Sequence, residues 1–345
     1  MRARPGLYAV LLMGSGLIAP AHAQDYPAKP IRIVVGFSAG TATDTMARII
    51  GMKLNEGWKV PVVVENREGA AGTISAALAA RATPDGYTLY MASTTLIVTP
   101  IFLTNVAYDA FRDFAPVSLM IDVPTVLVVS PQFTIRSVRD LIDLAKASPG
   151  TINYASTGKG TASHLAAELL KSMAGIKVTE VPYKVNAQAM SDVSSKQIEM
   201  YYPNVILALP YIQTGRVRAL AVTGAARSRA VPDIPAMAET VPGYEAANWY
   251  GLVAPAHTPA KVIAKINAEV TRILQMPDVR TRLDLFGADV IGGSPDDLAK
   301  RMKSGYAKWS ACFLPKPEKP AKCNTSHQIT GSGLKNSLEP QINAG

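Results

Sequence analysis

Residues 31–50 read IRIVVGFSAGTATDTMARII, and this stretch sets the fold class. IRIVVGF is β-branched and apolar without alternation, the pattern of a strand buried on both faces. Met46, Ile49, Ile50 and Leu54 then recur at helical spacing, which predicts a helix over 43–55, and Thr41 and Asp44 have capping-box spacing at its start. A buried strand, a short Gly/Ser/Thr loop and an amphipathic helix form the opening of a strand–helix–strand unit.

The unit repeats along the chain. Strands are predicted at 60–66, 88–93, 125–130, 151–156, 177–183, 198–202, 218–223 and 249–255. Helices are predicted at 69–82, 138–147, 162–174, 187–195, 206–214, 258–275, 278–285 and 295–308. Such alternation predicts an α/β protein with two parallel-sheet domains. The chain is expected to cross between them twice, near 115–125 and 243–250, around a hinged crevice. Domain 1 is read as 24–120 with 248–309, and domain 2 as 121–247. Ligands of open parallel sheets bind beyond the strand ends, so the crevice is the expected site.

The ends of the chain are different. Arg2 and Arg4, the apolar run 7–18 and Ala21-His22-Ala23 have the layout of a cleaved secretory leader, residues 1–23. Export to the periplasm follows, with no membrane insertion. Residues 310–345 are rich in Pro, Lys, Ser and Asn and read as a poorly ordered tail. Cys312 and Cys323 are the chain's two cysteines; in an exported chain they could pair or stay free.

The whole 345-residue sequence carries a net charge of +9 with 18% charged and 48% hydrophobic residues. The leader and the tail hold much of that excess, and the remaining Lys and Arg are dispersed. Neither a disordered chain nor a nucleic-acid-binding surface fits this pattern. Four histidines in the whole chain, with no His-x-x-His or Cys-x-x-Cys pair, argue against a metal centre, and no cofactor is expected. Gly158-Lys159 lacks the Ser/Thr that a P-loop requires next, since residue 160 is Gly. No Gly-x-Ser-x-Gly elbow occurs, so a hydrolase built on Ser156, Ser163 and His164 is disfavoured and no catalytic residue is assigned.

Two loops remain as candidates: GFSAGTATD at 36–44 and STGKGTASH at 156–164. Each joins a strand to a helix start, where free N–H groups and about half a positive charge attract anions. Facing one another, they would clamp a carboxylate. Arg67 reads as a salt-bridge residue and His257 as a turn before a helix. His164 reads as a cap or backing donor more readily than as a ligand contact. Tyr183, Tyr201, Tyr202 and Trp249 are candidates to line the crevice.

These segments, together with VPVVVENREGAAG, ATPDGYTL, YDAFRDFAPVS, VPYK, RALAVTGAARS and WYGLVAP, resemble the Bug family. Its members are the periplasmic solute-binding proteins of tripartite tricarboxylate transport systems. The resemblance runs in order from 26 to about 309 and implies a type II periplasmic binding fold that closes on its ligand. It implies a small carboxylate held by Phe37, Ser38, Gly40, Thr43 and Asp44 in one half. In the other half it implies Ser156, Gly160, Thr161, Ser163 and His164, with Tyr183 and Tyr202 beside them. Asp44 would fix its loop or hold a water more readily than touch an anion. The partners implied are membrane transporter subunits or, alternatively, a sensor kinase, served by a monomer that is not an enzyme.

The chain departs from the family pattern at several points. Ala39 and Thr41 replace the usual Pro and second Gly of the first loop. Val185 follows VPYK where Gly is usual, and its bulk with that of Tyr202 is expected to reshape the distal pocket. Tyr202-Pro203-Asn204 stands where Phe-Asp-Asn or Phe-Gly-Pro is common, so the carboxylate that some members place at 203 for an amino group is missing.

Overall fold

A computed structural model describes residues 26–313 except residue 286; the expected leader and most of the tail lie outside it. The first run of elements is β1 (Ile31–Val35), α1 (Ala42–Trp58), β2 (Val62–Asn66), α2 (Thr73–Ala80), β3 (Thr88–Ser93), α3 (Thr95–Phe102) and β4 (Phe114–Val123). The second is β5 (Val126–Val129), α4 (Val138–Ala147), β6 (Asn153–Ser156), α5 (Ala162–Ala174), β7 (Thr179–Pro182), α6 (Asn186–Ser194), β8 (Met200–Tyr201), α7 (Val205–Gln213) and β9 (Arg218–Val222). The chain then returns with β10 (Asn248–Pro255), α8 (Ala260–Leu274), α9 (Pro277–Leu285), β11 (Asp289–Gly293) and α10 (Pro295–Phe313).

The strands form two sheets, ordered β11-β4-β10-β3-β1-β2 and β7-β6-β8-β5-β9. The expected parallel sheets are in fact mixed. In sheet one, β1, β2, β3 and β4 run together while β10 and β11 run against them. In sheet two only β5 is reversed. The reason is the double crossover: β5 and β10 are the strands that arrive directly from the other sheet. Each enters its new sheet between the third and fourth forward strands, so the two halves share one topology.

Local sequence explains the elements. Ser137 and Asp140 form a reciprocal capping box that starts α4. Gly175, at φ 63°, ends α5 in the left-handed conformation that glycine adopts without strain. Sheet one is sandwiched between two apolar layers. Ile33, Val35, Ile50 and Leu54 pack with Ile266 and Val270 of α8 on one face. On the other, Val34, Tyr90, Leu96 and Ile97 join Leu298 and Met302 of α10, and this cluster continues into sheet two through Tyr154, Leu165 and Leu169. Each such buried aliphatic contributes about 1.5–3 kcal/mol.

Three elements were not expected from the sequence: α3, β4 and β11. Pro100 interrupts α3 and would leave the Leu96 carbonyl without its helical partner. The Tyr108 hydroxyl donates to that carbonyl instead, at 2.9 Å. Pro116 lies in β4 opposite Val253, where the register shifts and a missing N–H is tolerated. Helix α10 runs to Phe313, four residues beyond the expected end of the core. The Phe313 ring stacks on Trp309 with centroids 5.9 Å apart. Cys312 is half-buried, and its pairing with Cys323 lies outside the described residues.

Candidate functional site

A cavity of about 110 Å³ lies between the two sheets. Five forward strands end near its rim, and the helix that follows each begins there. Thr41, Ala42 and Thr43 come from the start of α1, Thr95 from α3, Thr161, Ala162 and Ser163 from α5, Asn186 from the start of α6 and Asn204 from the cap of α7. This is the strand-end position expected for ligands of such sheets. Val123, Thr125, Asn248 and Tyr250 add the two crossovers to the wall, with Tyr201, Tyr202 and Pro203 at the end of β8.

The helix starts differ in how their N–H groups are used. At α1 the Thr41 hydroxyl accepts from the Asp44 amide at 3.4 Å, which leaves the Ala42 and Thr43 amides uncapped. At α5 the cap residue Thr161 makes no side-chain cap bond; its hydroxyl donates instead to the Gly158 carbonyl at 2.7 Å. The amides of Ala162, Ser163 and His164 therefore have neither a helical nor a capping partner. At α7 the Asn204 side chain accepts from Leu207 at 2.9 Å. Not one lining residue is Asp, Glu, Lys, Arg or His.

Two buried ionisable groups stand behind the loops and shape them. Asp44 accepts from the Gly40 amide at 2.9 Å, Arg48 Nε at 3.0 Å and Asn66 Nδ2 at 2.9 Å. Burial pushes its carboxyl up, but the hydrogen bonds from Arg48, Gly40 and Asn66 outweigh that and hold it below the usual carboxylate range. Asn66 also donates to the Phe37 carbonyl at 2.9 Å. Asp44 thus spends its charge on the loop, and it is not among the cavity-lining residues.

His164 does the matching work in the second loop. Its Nδ1 accepts from the Gly160 amide at 3.3 Å, and Nε2 lies 4.0 Å from Glu180. Burial holds the imidazole below its ordinary value despite Glu180 and Glu168, so the ring is neutral. Phe102 of α3 meets it edge-on at 4.9 Å. Lys159 bonds Glu180 at 2.6 Å, and Ser156 and Ser163 brace the turn through Gly158 and the Thr157 amide.

Of the residues named from sequence, Phe37, Thr43, Thr161, Ser163, Tyr201 and Tyr202 line the cavity. Ser38 and Gly40 are exposed on the rim, while Asp44, Ser156, Gly160 and His164 sit behind the loops. Tyr183 is not brought in: its hydroxyl bonds Asp192 at 2.8 Å, beside the exposed Val185. Val185 accordingly does not shape the cavity. Trp249 lines a different cavity, because side chains alternate along β10 and Asn248 and Tyr250 take the crevice side. Burial pushes the Tyr250 hydroxyl up to about 12, against hydrogen bonds toward Asn248 and Thr43, so it remains a neutral donor. Arg67 forms its salt bridge, with Glu65 at 2.5 Å, and His257 occupies a left-handed turn ahead of α8. The start of α3 was missed; the Ser/Thr run SerThrThr at 93–95 was the available signal. Among the described residues no group of His, Cys, Asp and Glu could hold a metal, and no helix is long and apolar enough to cross a membrane.

Two matched α/β halves around an interdomain cavity are the architecture of a two-domain binding protein. Residues 46–314 match the model of the tripartite tricarboxylate transporter family receptor, and the chain belongs to that family, which includes the Bug proteins. Protein BugT of Bordetella pertussis is 33% identical over 304 residues, covering 87% of this chain and 93% of BugT. R. palustris Rpa4515 with adipate superposes with a TM-score of 0.77 at 33% identity, covering 84% of this chain and 97% of the other. MatC (Rpa3494) from Rhodopseudomonas palustris, with bound malate, gives 0.76 at 31% identity, covering 84% and 100%.

Proposed function

We propose that this chain captures a small dicarboxylate in the crevice and delivers it from the periplasm to membrane subunits of a tripartite tricarboxylate-type transporter. The observation that carries this reading is the cavity wall, where five helix starts contribute to one space that no charged side chain lines. Each helix start is worth up to about half a positive charge, so together they favour a dianion. One carboxylate is taken between the α1 and α5 starts, by the amides of Ala42, Thr43, Ala162 and Ser163 with the hydroxyls of Thr43, Thr161 and Ser163. Phe37 covers it. Ser38, Gly40, Asp44, Ser156, Gly160 and His164 hold the two loops in shape. The second carboxylate faces the starts of α3 and α7, and Tyr202, Pro203, Asn248 and Tyr250 read the rest of the ligand. Solved relatives that hold adipate and malate support the class.

An ammonium group meets no carboxylate in this wall, which sets malate apart from aspartate although they differ mainly at one substituent. Closure follows from the same geometry: the amides that grip the ligand belong to both sheets, so the ligand is held fully only when the sheets approach. Calorimetric titration with malate, succinate, adipate, citrate and aspartate tests the reading. At least one dicarboxylate should bind at micromolar concentration, and aspartate should bind more weakly than malate. Flat traces for every di- and tricarboxylate would remove the proposal; tighter aspartate binding would remove the charge argument. Uptake of the bound acid by cells lacking the chain should fall.

A further inference from the structure

A second cavity, of about 200 Å³, lies on the opposite face of sheet one from the crevice. Strand alternation separates the two: Thr94 and Trp249 line this one, while Ser93, Thr95, Asn248 and Tyr250 line the crevice. Its outer wall is α10, with Arg301 and Lys308, and its remaining wall is Glu245 on the return crossover.

These charged residues belong to different halves of the molecule. Helix α10 packs on β4 and α3 of the first half. Arg301 is anchored there by Asp122 of β4, at 2.8 Å. Glu245 moves with the second half, because both of its neighbours are tied to it. The Tyr244 hydroxyl donates to the Ala166 carbonyl in α5 at 2.8 Å, and the Ala246 amide donates to the Thr223 carbonyl just past β9 at 2.8 Å. Lys308 Nζ donates to the Glu245 carbonyl at 2.5 Å and lies 3.8 Å from its carboxylate, and Arg301 lies 3.7 Å from the same carboxylate.

We propose that Lys308 and Arg301 are positioning residues for closure, which hold Glu245 and so keep the two sheets in the arrangement that brings both loops to one cavity. The proposal rests on the crevice being the ligand site. An opening rotation that carries Glu245 away from α10 breaks a charge-assisted hydrogen bond. The carboxylate contacts are half-exposed and loose, so they add a smaller, salt-screened contribution.

Lys308→Met and Lys308→Arg are the variants of choice, since Arg301→Gln would strand the half-buried Asp122. Small-angle scattering from the ligand-free protein reads the domain arrangement without any ligand. Lys308→Met should give a larger radius of gyration than wild type, and Lys308→Arg should restore it. Malate titration should then show affinity weakened about tenfold in Lys308→Met, carried by faster dissociation. Identical scattering curves for wild type and Lys308→Met would overturn the proposal. If malate fails to bind the wild type, the dicarboxylate reading suffers alone, and the scattering comparison still decides the role of Lys308.

Discussion

Gly160→Ala separates loop strain from closure. Gly160 has φ +78°, and an added Cβ would lie 3.2 Å from the Thr99 hydroxyl and 3.4 Å from the Thr99 Cα and N. A left-handed alanine costs about 1–2 kcal/mol wherever the loop keeps its shape, open or closed. The squeeze on Thr99 acts only in the closed arrangement, and so shifts the ligand-free protein toward the open one, because Thr99 belongs to α3 and Gly160 to the other half. Its contacts are at the mild end of overpacking, about 1 kcal/mol. The melting temperature of the ligand-free protein should therefore fall by roughly 2–8 °C. Ligand affinity should weaken by a further factor of about five. Thr99→Ala in the same background should recover only part of that factor, since two of the three close atoms are backbone. Scanning calorimetry and titration calorimetry measure the two effects. A lowered melting temperature with unchanged affinity would refute the view that this contact forms on closure.

His164 predicts a pH dependence. Its folded-state value lies below the ordinary 6.5, so the unfolded chain takes the proton first. The stability it contributes is whole above 6.5 and is lost as pH falls from there through the folded value. Urea midpoints at about pH 7.5 and about pH 5 should differ more for wild type than for His164→Gln, before Glu180 titrates; equal differences would contradict the assignment. Tyr202→Phe removes a buried hydroxyl that has no hydrogen-bond partner, so the ligand-free protein should gain up to about 1 kcal/mol in urea unfolding. A loss would show that the hydroxyl is satisfied.

Helices α4 and α5 were readable to the residue because capping chemistry brackets them: Ser137 before one, Gly175 after the other. Strand β4 was not, because it is Pro-bearing and its partners, β10 and β11, lie more than a hundred residues further along the chain. Helix α3 was hidden by Pro100, whose damage is repaired by a tyrosine six residues past the helix end. The two glycine-rich loops were visible, since Gly, Ser and Thr at a strand–helix junction signal an anion-facing helix start on their own. Of the rest of the wall, Tyr201 and Tyr202 were visible and the residues of β10 were not. Tyr250 and Trp249 are adjacent aromatics on one strand, and only the register of β10 decides which of them faces the ligand.

The proposed recognition by main-chain amides has an evolutionary consequence. No substitution among the lining side chains deletes a peptide N–H, proline aside, so the grip on an acid group survives sequence drift. The surrounding residues, such as Asn186, Tyr201, Pro203 and Asn248, are then free to vary without loss of that grip. A lineage built on this scaffold can exchange one acid for another in single steps, each passing through a protein that still binds something.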